Sequence, residues 1–199
     1  MVEVRSPLAH CKTPLLARGG SMADAIELKI SHASIGSLMQ IAGWGAAFTE
    51  AVTPLLHELD LDGLGDFHQA QTSEGRVCFR IAPTRLLIWT MDSQVAPASL
   101  SDIDAASAPI LDLSHSRVRV TIEGSIARTL LTRLSTIDLR LHSFPDGAFS
   151  LSTIHHTSAL IFHSQEIQYE LLLPSSYAGS FLYYFVKDAK PFVLFDSYP

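Results

Sequence analysis

The fold is decided by the stretch SRVRVTIEGSIARTLLTRL, residues 116–134. Val118, Val120 and Ile122 alternate with Arg117, Arg119 and Thr121, the period of two expected of a strand with one buried face. Gly124 and Ser125 break that alternation. Ile126, Leu130, Leu131 and Leu134 then recur at helical spacing, while Arg128 and Arg133 fall where they can face solvent. The stretch therefore reads as a half-buried strand running directly into an amphipathic helix.

Downstream, strands are expected over Ala148 to His155, Ser158 to His163 and Ile167 to Leu173. Pro174-Ser175-Ser176 then caps a last helix with Tyr177, Phe181, Tyr184 and Phe185 on one side. Upstream, Ile35 to Trp44 reads as a strand leading into GAAFTEAVTPLLHEL, where Phe48, Val52, Leu55, Leu56 and Leu59 share a helical face. Pro54, with Thr53 as a cap, is expected to kink or split that helix. Short strands follow at Asp66 to Thr72, Val77 to Ile81, Leu86 to Thr90 and Pro109 to Leu113, with a turn at Ser73-Glu74-Gly75 and a linker-like Met91 to Ser107. The order strand, helix, strands, helix, strand thus occurs twice, roughly over 35–113 and 116–195. This predicts an α+β fold of two ferredoxin-like βαββαβ halves packed as one unit. The expected layout is an extended arm over 1–25 and a single α+β domain over 26–199, with halves at about 26–113 and 114–199.

Composition narrows the function. The 199 residues are 47% hydrophobic and only 17% charged, against a usual charged share of about 25%, and a chain of this length can bury about 70% of its unfolded surface. Disorder is excluded. With 14 Lys and Arg against 20 Asp and Glu, the formal charge of −6 argues against nucleic-acid partners. So few ions on so apolar a chain favour a subunit covered by another chain. Cys11 and Cys78 show no metal-ligand spacing and fit free thiols in a cytoplasmic setting, with a disulfide between them as the alternative. No run is long enough for a signal peptide or a membrane span, so neither export nor a membrane partner is expected.

Nine histidines invite a metal reading, but no HExxH or HxxxH occurs, and His155 and His156 are adjacent on an expected strand, where neighbours point to opposite faces. Only a three-histidine cluster with His163 across a hairpin remains open. GxSxG and the phosphate loop are absent, and neither GLGDFH nor GWGAAF completes a dinucleotide fingerprint. No catalytic, cofactor-binding or metal residue is therefore assigned. Asp112, Ser114 and Arg117 either line a ligand cleft or, for the first two, brace a turn. Aromatic residues crowd the C-terminus, where they meet a partner or are covered by the tail. The candidate partner interface comprises Arg5, Pro7 and His10 of the arm with Phe181, Tyr184, Phe192 and Phe195.

Four pieces in sequence carry a family resemblance. LDLSHSRVRVTIEGSIARTLLTRLSTIDLRLHSFPDG (111–147) resembles the D-L-S-x-x-R strand, G-x-x-A-x-x-L-L helix and D-L segment of the gamma subunit of heterotetrameric sarcosine oxidase. VRSPLAH is similar to that family's start, and CFRIAPTRLLIW and YELLLPSSYAGSFLYYF stand where it has a Gly-Pro-Asp-Glu-type strand start and its final strand and helix. Here Ala82-Pro83-Thr84-Arg85 replaces Gly-Pro-Asp-Glu, and Ser175 stands where an Arg is common. The resemblance implies a non-catalytic structural subunit of a complex that demethylates sarcosine, or a related secondary amine, to glycine, reduces oxygen to hydrogen peroxide and can pass the one-carbon unit to tetrahydrofolate. Its implied partners are alpha, beta and delta subunits holding FAD, NAD, covalent flavin, the tetrahydrofolate site and zinc, with no cofactor in this chain. The DLSH segment is also similar to the folate-binding fold of aminomethyltransferases. In those proteins the motif lies near the start of a longer chain, whereas Asp112 to His115 lies mid-chain. A small standalone folate-binding or aminomethyltransferase-like protein is the alternative.

Overall fold

A computed structural model of the chain describes residues 8, 15–18, 26–33, 35–91, 98–189 and 194–195. Along it run strands β1 (Leu15–Arg18), β2 (Ile26–Ala33) and β3 (Ser37–Ala42), helix α1 (Gly45–Glu58), then β4 (Gln71–Ser73), β5 (Arg76–Ala82) and β6 (Arg85–Thr90). After a 3-10 turn at Ala98–Asp102 come β7 (Ile110–Asp112), β8 (Arg117–Glu123), helix α2 (Ala127–Leu134), β9 (Phe149–Ile154), β10 (Thr157–Gln165) and β11 (Gln168–Pro174). A second 3-10 turn, Ser175–Tyr177, leads into α3 (Ala178–Ala189), and β12 (Leu194–Phe195) follows. The elements form two units, Ile35–His115 and residues 1–34 with 116–199.

In the Ile35–His115 unit the antiparallel sheet runs β4-β5-β6-β3-β7. The first strand, β3, lies between β6 and β7, with β5 outside, as a βαββαβ chain requires. A 3-10 turn stands where the second helix is expected. Phe48, Val52, Leu55 and Leu56 of α1 are buried with Ile41, Cys78, Leu86 and Ile88 of the sheet, and each such side chain stabilises the unit by about 1.5–3 kcal/mol. α1 is one unbroken helix through Pro54, correcting the expected split. Pro54 and Glu50 both lie on the exposed side, so the carbonyl that loses its amide partner faces water. Thr53 is no cap: its hydroxyl donates 2.7 Å back to the Thr49 carbonyl.

In the other unit the sheet runs β12-β1-β2-β8-β11-β10-β9 among the described residues. Val118, Val120 and Ile122 of β8 are buried with Leu130 and Leu131 of α2 and Phe181 and Phe185 of α3, so the strand-to-helix stretch packs as its periodicity requires. Leu8, in the expected arm, is fully buried in the same cluster. The strand beside β8, opposite β11, is β2, with Ile30 in register with Ile122 and His32 with Val120. Residues 26–33 therefore join the second half of the chain, not the first as the boundary at 26–113 had it. A cross-strand ion pair, Lys29 Nζ to Glu123 Oε2 at 3.0 Å, marks the junction.

Candidate interaction surface

Asp112 ends β7, and its Oδ1 accepts hydrogen bonds from the Ser114 amide at 2.8 Å and the Ser114 hydroxyl at 2.6 Å. The Ser114 oxygen in turn accepts from the Leu38 amide at 3.0 Å. The hydroxyl bond first, then the amide bond, and lastly the charge of His115 hold the Asp112 carboxyl below its usual range. Asp112 and Ser114 thus brace a turn against β3. Arg117 starts β8 in the other unit, opposite Pro174.

The last helix divides its aromatics between two faces. Phe181 and Phe185 are buried with their rings 5.4 Å apart, whereas Tyr177, Tyr183 and Tyr184 are exposed. Phe181 and Phe185, four apart, lie within the buried stripe that Ala178, Leu182 and Val186 complete, while Tyr184 stands on the flank of that stripe and Tyr177 belongs to the 3-10 turn before the helix. The four aromatics expected on one side are therefore split, and Phe181 drops out of any exposed interface because it fills the core. Tyr184 is 48% exposed. Arg5, Pro7, His10 and Phe192 lie outside the described residues, and Phe195 is described only as backbone of β12.

The strand expected to end at His155 stops one residue earlier. His155 and His156 are the two central residues of the β9–β10 hairpin, both with positive φ, 47° and 63°. That is type I′ turn geometry, which favours Asn-Gly. His155 Nε2 sits 2.5 Å from Asp188 Oδ2 and the ring lies against that of Tyr184, with centroids 5.9 Å apart, so the turn packs against α3. His163 lies seven residues beyond His156 along the strand that the turn leads into, about 23 Å at 3.3 Å per residue. The three-histidine cluster is not assembled, and no group of metal-ligating side chains occurs among the described residues.

Two buried polar groups lock the unit behind this surface. Fully buried His163 places Nδ1 3.1 Å from the Phe144 carbonyl and Nε2 3.1 Å from Asp146 Oδ1, and its ring stacks on Tyr169 at 4.5 Å. The Tyr169 hydroxyl, which burial pushes up in pKa, accepts from Arg128 Nε of α2 at 2.8 Å. On the sheet face turned away from α2 and α3, Glu170 accepts from Arg119 Nε (2.9 Å) and Nη2 (2.8 Å), Thr121 Oγ1 (2.8 Å) and Gln168 Nε2 (2.7 Å). No nucleophile, base and oxyanion donor converge at any of these places.

No protein-family model matches the sequence, and no curated protein matches it significantly. Solved structures do match in fold. A chain of the heterotetrameric sarcosine oxidase from Corynebacterium sp. U-96, in complex with pyrrole 2-carboxylate, superposes with a TM-score of 0.76 at 18% identity, over 95% of this chain and 96% of that one. Aminomethyltransferase T of the glycine cleavage system from Bartonella henselae superposes with a TM-score of 0.61 at 15% identity, over 83% of this chain and 47% of that one. No described helix is long and apolar enough to cross a membrane. The chain thus has the α+β fold that a chain of a heterotetrameric sarcosine oxidase shows over nearly its whole length and that an aminomethyltransferase T shows over about half of its own.

Proposed function

We propose that the chain is a non-catalytic, gamma-like structural subunit of a flavoenzyme complex of the heterotetrameric sarcosine oxidase type, which oxidatively demethylates sarcosine or a related secondary amine in the cytoplasm. The observation that carries the reading is the match at both lengths, 95% of this chain and 96% of the sarcosine oxidase chain. Asp112 and Ser114, the residues best placed to line a cleft, are consumed in a turn brace. The exposed tyrosines of α3 are of the residue type that interfaces favour. FAD, NAD, covalent flavin, tetrahydrofolate and zinc then belong to the alpha, beta and delta partners, and this chain packs against them.

The fold shared with aminomethyltransferase T supports one other reading, a small standalone folate-binding protein. Co-expression of a tagged chain with the genes that flank its own separates the two. The subunit reading expects a complex that absorbs as flavin, oxidises sarcosine and releases peroxide. Recovery of the chain alone, with saturable tetrahydrofolate binding in a calorimeter, overturns it in favour of the second.

A further inference from the structure

A pocket of about 370 Å³ opens in the Ile35–His115 unit where the end of β3 meets the β5–β6 hairpin and the segment before β7. Trp44, Thr84, Arg85, Ser107 and Pro109 wall it with Gly43, and alanines complete the lining. The backbone that carries these side chains is fixed. The Gly43 amide donates to the Thr84 carbonyl at 3.0 Å, the Ala42 amide donates to the Pro109 carbonyl at 3.2 Å, and Ala42 and Arg85 are in register on adjacent strands. Gly43 is held close to its neighbours: a Cβ there would collide with the Ser107 carbonyl and the Phe48 ring.

Two side chains in this wall are unspent. Trp44 is 88% exposed and its indole touches no other ring or cation among the described residues, although its backbone is anchored as the first residue before α1. Arg85 makes no ion pair or side-chain hydrogen bond with any described residue. Among the described residues, no carboxylate lines the pocket. The nearest acid in sequence, Asp104, is turned to its own loop, where it accepts from the Ala106 amide at 3.1 Å and the Ser107 hydroxyl at 2.9 Å. Neither periodicity nor a motif marks Trp44 or Arg85 as a binding group. The Gly43-Trp44-Gly45 triplet was the available signal, since a tryptophan between two glycines has no adjoining side chains to cover it.

The chemistry of the wall selects a ligand class. A lone guanidinium pairs in a two-pronged fashion with a carboxylate and matches its single charge, whereas a phosphate brings a second charge that no other cation in the wall meets. The bare indole face favours a flat apolar body. The volume lies at the small end of ligand pockets, roughly 300–1,000 Å³, which suits one ring. We propose that this pocket binds a small aromatic monocarboxylic acid, its carboxylate on Arg85 and its ring against Trp44. The site needs no partner chain and does not depend on the subunit reading.

The chain has two tryptophans. Trp89 is fully buried, with its indole nitrogen donating to the Ile35 carbonyl at 2.6 Å, so acrylamide-quenchable emission reports Trp44. Titration of the full chain with benzoate is expected to protect that emission saturably, with benzamide at least tenfold weaker because it lacks the charge. Arg85→Gln is expected to weaken benzoate at least tenfold, and Arg85→Lys by less, since it keeps the charge and loses the fork. Unchanged far-ultraviolet dichroism confirms that both variants fold. Protection that rises linearly without saturating, equal affinity for benzamide, or benzoate binding unchanged in Arg85→Gln overturns the proposal.

Discussion

Replacing Glu170 tests how the larger sheet tolerates a charge in its interior. The carboxylate is fully buried and takes four hydrogen bonds, two of them from Arg119, whose side chain keeps only 19% of its exposure. In Glu170→Leu the guanidinium stays in place without its counter-charge, and Thr121 and Gln168 lose their acceptor. Breaking a buried pair from one side costs about 3–5 kcal/mol; the residual access of Arg119 to water puts the expected loss at the lower end, about 3 kcal/mol. Removing both partners leaves no orphaned charge, so the Glu170→Leu, Arg119→Met double variant is expected to be within about 1 kcal/mol of the parent or more stable. Urea unfolding followed by far-ultraviolet dichroism measures both. A single variant that loses under about 1 kcal/mol, or a double variant that loses as much as the single one, refutes the reasoning.

Burial pushes the Cys78 thiol up to about 12 from an ordinary 9.0. Its contribution to stability is therefore complete below about pH 9 and lost as pH rises toward 12, a slope of about 1.4 kcal/mol per pH unit. Cys78→Ala should remove that slope from the alkaline unfolding profile. His156 is exposed and held at φ 63°, so His156→Gly is expected to stabilise the β9–β10 hairpin by about 1 kcal/mol, read as a higher urea midpoint. Gly36 has φ 76°, and a Cβ there would run into the Thr90 carbonyl; Gly36→Ala should cost about 2–4 kcal/mol in the same assay.

Much of this architecture was legible because periodicity reports local burial. Val118, Val120 and Ile122, followed by Leu130 and Leu131, announce β8 and α2, and the Glu74-Gly75 turn lies where its residues place it, with both φ positive. What periodicity does not report is which strand a strand pairs with. Leu28 and Ile30 alternate with Lys29 and Ser31, yet nothing local says that β2 crosses to β8, more than 80 residues later, because that choice is made by long-range pairing. The same limit explains the histidines. His155 and His156 read as strand because no glycine or asparagine marks the turn, and the contact with Asp188 and Tyr184 that accompanies their positive φ joins a hairpin to a helix two elements away. Phe181 and Tyr184 look alike by composition and stand only three residues apart on α3, so packing against the sheet, not spacing, separates the core residue from the exposed one.

Native mass spectrometry of the chain, expressed alone and then together with the products of its flanking genes, tests the subunit reading most directly. The account predicts that the chain enters a larger flavin-containing assembly in fixed stoichiometry when those partners are present. A stable monomer under both conditions would contradict it.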